Sequence, residues 1–165
     1  MRINDFNGEG KWSRDAILDR YACYCRELGI AERDLSPLEH TNGIDKWIYP
    51  VMDKVIEGIK EGDEACKRIG IEFIEEDTFF SFGKILKSNT ARALRQTSLT
   101  EDIKERIRVR VVHMLLVGNV PHEYKEYAKL LRNVGLGDSK QEIEANVDRS
   151  NPYVMRYYRY FMQLQ

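Results

Sequence analysis

Residues 63–135, DEACKRIGIEFIEEDTFFSFGKILKSNTARALRQTSLTEDIKERIRVRVVHMLLVGNVPHEYKEYAKLLRNVG, decide the fold. Asp63 stands where a helix N-cap belongs, and Cys66, Ile69, Gly70 and Phe73 then recur on one helical face. Gly70 in that face lets a neighbouring helix approach closely. Asp77 and the aromatic cluster Phe79, Phe80 and Phe82 end this helix or turn it into the next, where Phe82, Ile85, Leu86, Ala93 and Leu94 are apolar. The third helix is the clearest. Ser98 and Glu101 have capping-box spacing, Thr100 is a rival cap, and Ile103, Ile107, Val111, Met114 and Gly118 form one stripe. With Val112, Leu115 and Leu116 also apolar, its second half is expected to be buried on more than one side. Pro121 suits the first position of a fourth helix, with Tyr124, Tyr127, Ala128, Leu131 and Val134 as its stripe and Gly135 as its stop.

The flanks extend the same reading. Residues 1–12 are polar and glycine-containing and predict a loosely ordered arm that Trp12 pins at its end. Ser13 caps a helix on which Ile17, Tyr21, Tyr24 and Leu28 share a face, and Gly29 stops it. Residues 30–42 form a connector ending in the turn chemistry of Thr41, Asn42 and Gly43. From Ile44 onward, Trp47, Ile48, Val51, Met52, Val55 and Ile59 predict a second helix, kinked at Pro50 because the ring excludes an interior hydrogen bond. Beyond Gly135, Ser139 and Glu142 open a short helix, and Asn151-Pro152 opens a last one carrying Tyr153, Tyr157, Tyr160, Phe161 and Leu164. No segment alternates long enough to predict a strand.

A chain of 165 residues most often makes one domain, so residues 1–165 are read as a single all-helical domain with 1–12 as its arm. Apolar residues at 42% and charged residues at 32% suit a soluble, helix-rich protein and exclude a disordered one. The expected fold is all-α, with about six to eight helices paired as antiparallel hairpins because their joints are so short. A net charge of −1 gives no global pull towards nucleic acid or an anionic membrane. No run approaches the ~20 apolar residues of a membrane span, and the N-terminus lacks a signal-type apolar region. The three cysteines, Cys23, Cys25 and Cys66, suit a chain that does not rely on disulfides. A cytoplasmic protein with no membrane partner is the expectation.

The run from Ala65 through Leu99, followed by Glu101 through Gly118, resembles HEAT- or armadillo-like helical repeats: a first helix ends in an acidic turn and a second enters through aromatics. The resemblance covers about half the chain and implies a short α-solenoid or multi-helix bundle whose helical surfaces bind partners. It implies no chemistry. The candidate hairpins 44–76, 63–96 and 101–134 share no constant repeat period.

Charge is distributed unevenly. Residues 53–77 hold nine acidic and four basic side chains, whereas residues 84–110 hold eight basic and three acidic. Lys84, Lys87, Arg92, Arg95, Lys104, Arg106, Arg108 and Arg110 therefore either form a face that meets phosphates or an acidic protein, or pair with neighbouring helices as ordinary solvated charge. The last helix interleaves Tyr153, Tyr157 and Tyr160 with Arg156 and Arg159, a composition favoured at interface centres; docking of this helix onto the domain is the competing reading.

Catalytic, cofactor and metal signatures are absent from the sequence. Glu72, Glu75, Glu76 and Asp77 could collect a cation from one helical side, but His40, His113 and His122 have no glutamate three residues before them, as a helical di-metal site requires. His113 reads as a partly buried core histidine and His122 as an exposed one at a helix start. Cys23 and Cys25 face different ways on a helix and cannot ligate together. The leading reading is a non-enzymatic protein–protein interaction or adaptor protein, using Lys84, Lys87, Arg92, Arg95, Arg106 and Arg110 or the last helix. The alternatives are a nucleic-acid binder using the basic 84–110 face, and an enzyme whose site assembles only in three dimensions.

Overall fold

A computed structural model describes residues 1–77 and 82–163. Among them are eight α-helices, a 3-10 turn and three short strands. They gather into two compact units, Met1–Thr97 and Ser98–Gln165. Phe79, Phe80 and Leu164 lie outside the described residues. The mostly helical reading holds, with a small sheet added to it.

In the first unit β1 (Arg2–Asp5) precedes the 3-10 turn (Gly10–Trp12) and α1 (Arg14–Leu28). The strands β2 (Glu39–Asn42) and β3 (Asp45–Ile48) then lead into α2 (Val51–Lys60), α3 (Glu64–Glu75) and α4 (Gly83–Arg95). Local chemistry sets these ends. Ser13 Oγ accepts from the Ala16 N–H at 3.2 Å, Asp63 Oδ1 from the Cys66 N–H at 3.0 Å, and Gly29 stops α1 at φ 66°. Ile17, Tyr21 and Cys25 of α1, Val51, Val55 and Ile59 of α2, Cys66, Ile69 and Phe73 of α3 and Leu94 of α4 are all buried. A Cβ on Gly70 would stand 2.6 Å from Ile59 Cδ1, so this glycine does permit a close helix contact.

The kinked helix expected from Ile44 is corrected. Residues Asp45–Ile48 are the central strand of a sheet ordered β1-β3-β2, parallel to β1 and antiparallel to β2. Pro50 ends the extended segment at φ −63° and ψ 134° and serves as N-cap of α2. The Val51 N–H is capped by Asn7 Oδ1 at 2.8 Å, so a residue of the N-terminal arm starts this helix. Trp47, Ile48 and Val51 recur at three- and four-residue steps in either conformation, and a run this short does not separate them. Hydrogen bonding does: β3 pairs with Arg2–Asp5 on one edge and, through the Gly43–Ile44 turn at Gly43 φ 61°, with Glu39–Asn42 on the other.

The second unit contains α5 (Glu101–Leu116), α6 (Tyr124–Val134), α7 (Ser139–Asn146) and α8 (Pro152–Met162). Thr100 is the N-cap of α5, accepting from the Ile103 N–H at 3.3 Å, and Ile103, Ile107, Val111 and Met114 are the buried stripe. Val112 and Leu115 are buried as well, so the second half of α5 is enclosed on more than one side. Tyr124, Tyr127, Leu130 and Leu131 of α6, Ile143 of α7, and Val154 and Phe161 of α8 complete the core. Arg108 closes the far end of α6, donating from Nε to the Gly135 carbonyl at 2.8 Å and from Nη2 to the Val134 carbonyl at 3.0 Å. A cation there satisfies last-turn acceptors and complements the negative end of the helix dipole.

Candidate functional site

In the second unit a cavity opens where the start of α6 faces α8. Asn151 Oδ1 accepts from the Tyr153 and Val154 N–H groups at 3.0 and 3.2 Å and fixes the entry of α8, with Pro152 in its first turn. Val154 and Phe161, seven apart, anchor one side of α8 in the core. The spacing of Tyr153, Arg156, Tyr157 and Tyr160 then forms a second stripe along the same helix. On α6, burial of Tyr124, Tyr127 and Leu131 leaves Lys125 and Lys129 on the other side.

These two stripes enclose about 580 Å³, with Val120, Pro121, His122 and Ala128 completing the wall. Lys129 lies 3.6 Å from the Glu126 carboxylate. Lys125 and Arg156 have no carboxylate partner among the described residues. Two buried phenol hydroxyls are held: Tyr124 Oη donates to the Val111 carbonyl at 2.8 Å and Tyr21 Oη to Asp63 at 2.6 Å. Those of Tyr153, Tyr157 and Tyr160 make no hydrogen bond among the described residues. Burial raises the Tyr157 phenol above its ordinary pKa, against an opposing effect of Arg156, so it is a neutral donor at physiological pH. The groove thus offers cations, hydroxyls and aromatic faces, and its described lining holds no carboxylate.

Of the residues singled out by sequence, Tyr153, Arg156, Tyr157 and Tyr160 come together in this groove, while Arg159 is exposed on α8 outside its lining. Lys84, Lys87, Arg92 and Arg95 stand on α4 of the first unit, and Arg106 and Arg110 on α5 of the second. Lys87 presents no outward charge: it is 3% exposed and donates to the Phe73 carbonyl at 3.2 Å and to that of Glu76, closing the C-terminal end of α3. Arg92 donates to Asn89 at 2.8 Å, and Arg95, Arg106 and Arg110 are half-buried and partnered. Lys104 and Arg108 each reach a glutamate three residues earlier, at 3.2 Å in both cases. Lys125 and Lys129 escaped the sequence reading, although their four-residue spacing opposite the apolar stripe of α6 was the available signal.

The other candidates take structural positions. Glu76 accepts from Trp12 Nε1 at 2.7 Å and Lys11 Nζ at 2.6 Å, and Glu72 from Tyr24 Oη, with Arg20 3.6 Å away. Among the described residues no group of three or more His, Cys, Asp or Glu side chains is placed to share a cation. His113 is exposed, correcting the expectation of a partly buried core residue. It lines a smaller cavity of about 260 Å³ with Ser139, Glu105 and Glu142, but no hydrogen bond joins it to any of them among the described residues. Burial raises the Cys25 and Cys66 thiols above their ordinary pKa, so neither is a thiolate nucleophile at neutral pH. No described helix is long and apolar enough to cross a membrane.

Comparison with protein-family models, curated proteins and solved structures finds no match. The functional reading therefore rests on geometry.

Proposed function

We propose that the protein is a non-enzymatic interaction or adaptor module that captures another protein in the groove between α6 and α8. One observation carries this reading: two cations without carboxylate partners, Lys125 and Arg156, flank three tyrosines whose hydroxyls are equally unpartnered among the described residues. Tyrosine and arginine supply large, amphipathic contact area and dominate interface energetics. The joint of residues 61–63 between α2 and α3, which touch each other as α5 and α6 do, favours antiparallel hairpins arranged in the HEAT manner. A cytoplasmic location accords with three free cysteines. The nucleic-acid reading of residues 84–110 draws less support, because Lys87 is buried and Lys104 and Arg108 pair within their own helix.

A photo-crosslinking amino acid at Tyr153 tests the proposal in cells. Discrete protein conjugates should form there, vanish with Arg156→Glu, and differ from those obtained at the exposed Glu144. The same conjugates at both positions, insensitive to Arg156→Glu, would sink it.

A further inference from the structure

Resting on that reading, we infer that the α6–α8 groove takes an acidic peptide segment of its partner, bearing one aromatic or aliphatic anchor between carboxylates. Charge selects the sign. Lys125, Lys129 and Arg156 line the groove, only Lys129 has a carboxylate neighbour, and the described lining contributes no negative group. Each cation forms its strongest contact with an anionic acceptor.

Size gives room for more than a lone anion. A cavity of about 580 Å³ exceeds what one carboxylate or phosphate fills and falls in the range that holds several side-chain-sized groups. The geometry also sets a pattern. Lys125 and Lys129 are one turn apart, roughly 6 Å, which matches the roughly 7 Å between side chains two apart in an extended chain. The intervening side chain of such a chain points the opposite way, towards the tyrosine wall of α8. From Tyr153 to Tyr160 that wall runs about 10 Å, the length of roughly three extended residues. An acidic–anchor–acidic segment satisfies both walls at once.

Fluorescence anisotropy on the full chain tests the inference with three labelled peptides: one phenylalanine flanked by glutamates, the same with lysines for glutamates, and the first with alanine for phenylalanine. A labelled oligothymidylate and competing inorganic phosphate complete the set. The glutamate–phenylalanine peptide should bind best, weaken as salt rises, and lose about tenfold in affinity with Arg156→Glu and, on the other helix, with Lys125→Glu. Lys140→Glu, exposed on α7, should leave it unchanged. Near-ultraviolet circular dichroism identifies any variant that fails to fold, and the other variant then decides. Tighter binding of the lysine peptide or of the oligothymidylate, displacement by phosphate alone, or indifference to both reversals overturns the inference. If crosslinks at Tyr153 still capture a protein, only the ligand class is wrong; if they do not, the docking reading falls with it.

Discussion

Tyr124 and Tyr157 meet edge-on, their ring centroids 4.7 Å apart and their planes inclined at 76°. Tyr124 is fully buried and held by its bond to the Val111 carbonyl, whereas Tyr157 is half-buried and faces the groove. The aromatic pair therefore ties the wall of a candidate binding site to the core of its unit. Tyr157→Ala should cost about 1–3 kcal/mol, the sum of lost apolar contact and the edge-to-face term. Tyr157→Phe should stay within about 0.5 kcal/mol, because the hydroxyl has no protein partner to lose. Urea denaturation reads both, and equal stabilities for the two variants would remove the pair as a stabilising contact.

Glu76 connects stability to pH in the first unit. Burial alone would raise its carboxyl, but hydrogen bonds from Lys11 and Trp12, with the Lys11 and Arg20 charges, outweigh this and hold it below the usual value. Its stabilising contribution is complete above the unfolded-state pKa, near about 4.3, and disappears as pH falls through the lower folded value. Thermal midpoints of wild type and Glu76→Gln should therefore differ at neutral pH and converge in acid. A difference that stays constant down to about pH 3 would contradict the linkage.

Arg108 is a structural cation within the basic stretch. Removing its two donations to the end of α6, as in Arg108→Met, should cost about 1–3 kcal/mol and speed amide exchange over residues 132–136. Arg108→Lys should give an intermediate effect, since an ammonium lacks the fork that reaches both carbonyls. Unaltered exchange in Arg108→Met would assign the helix end to other contacts.

Gly58 permits the contact between α2 and α3. A Cβ there would overlap Cys66 Sγ and lie 3.2 Å from Cys66 Cβ. Gly58→Ala gains about 1 kcal/mol of helix propensity but overpacks a filled core at a cost of about 1–3 kcal/mol, so net destabilisation is expected. Adding Cys66→Ala removes the sulfur in the way, and the two changes together should be less harmful than their separate effects summed. Strict additivity would show that the clash is relieved elsewhere.

Much of the helical framework was legible. Ser13, Asp63, Thr100 and Asn151 act as caps by side-chain bonds that reach only two or three residues along the chain, and the stripes of α1, α5 and α6 repeat with the helix period. Half of the groove was legible for the same reason: Tyr153, Arg156, Tyr157 and Tyr160 share one side of one helix. The sheet was not. Glu39–Asn42 is exposed throughout and shows no apolar alternation, so only the Asn42-Gly43 turn hinted at a hairpin.

By itself, then, the sequence determined where helices start, stop and turn an apolar side inward, because those choices are settled by neighbours within about one helical turn. Tertiary structure decided what depends on distant partners. Asp45–Ile48 became a strand because Arg2–Asp5 and Glu39–Asn42 supply its hydrogen bonds, and Lys87 became a buried clasp because the end of α3 presents carbonyls to it. Lys125 and Lys129 joined the tyrosines of α8 only when α6 and α8 packed together, a juxtaposition of segments about thirty residues apart that no local periodicity encodes.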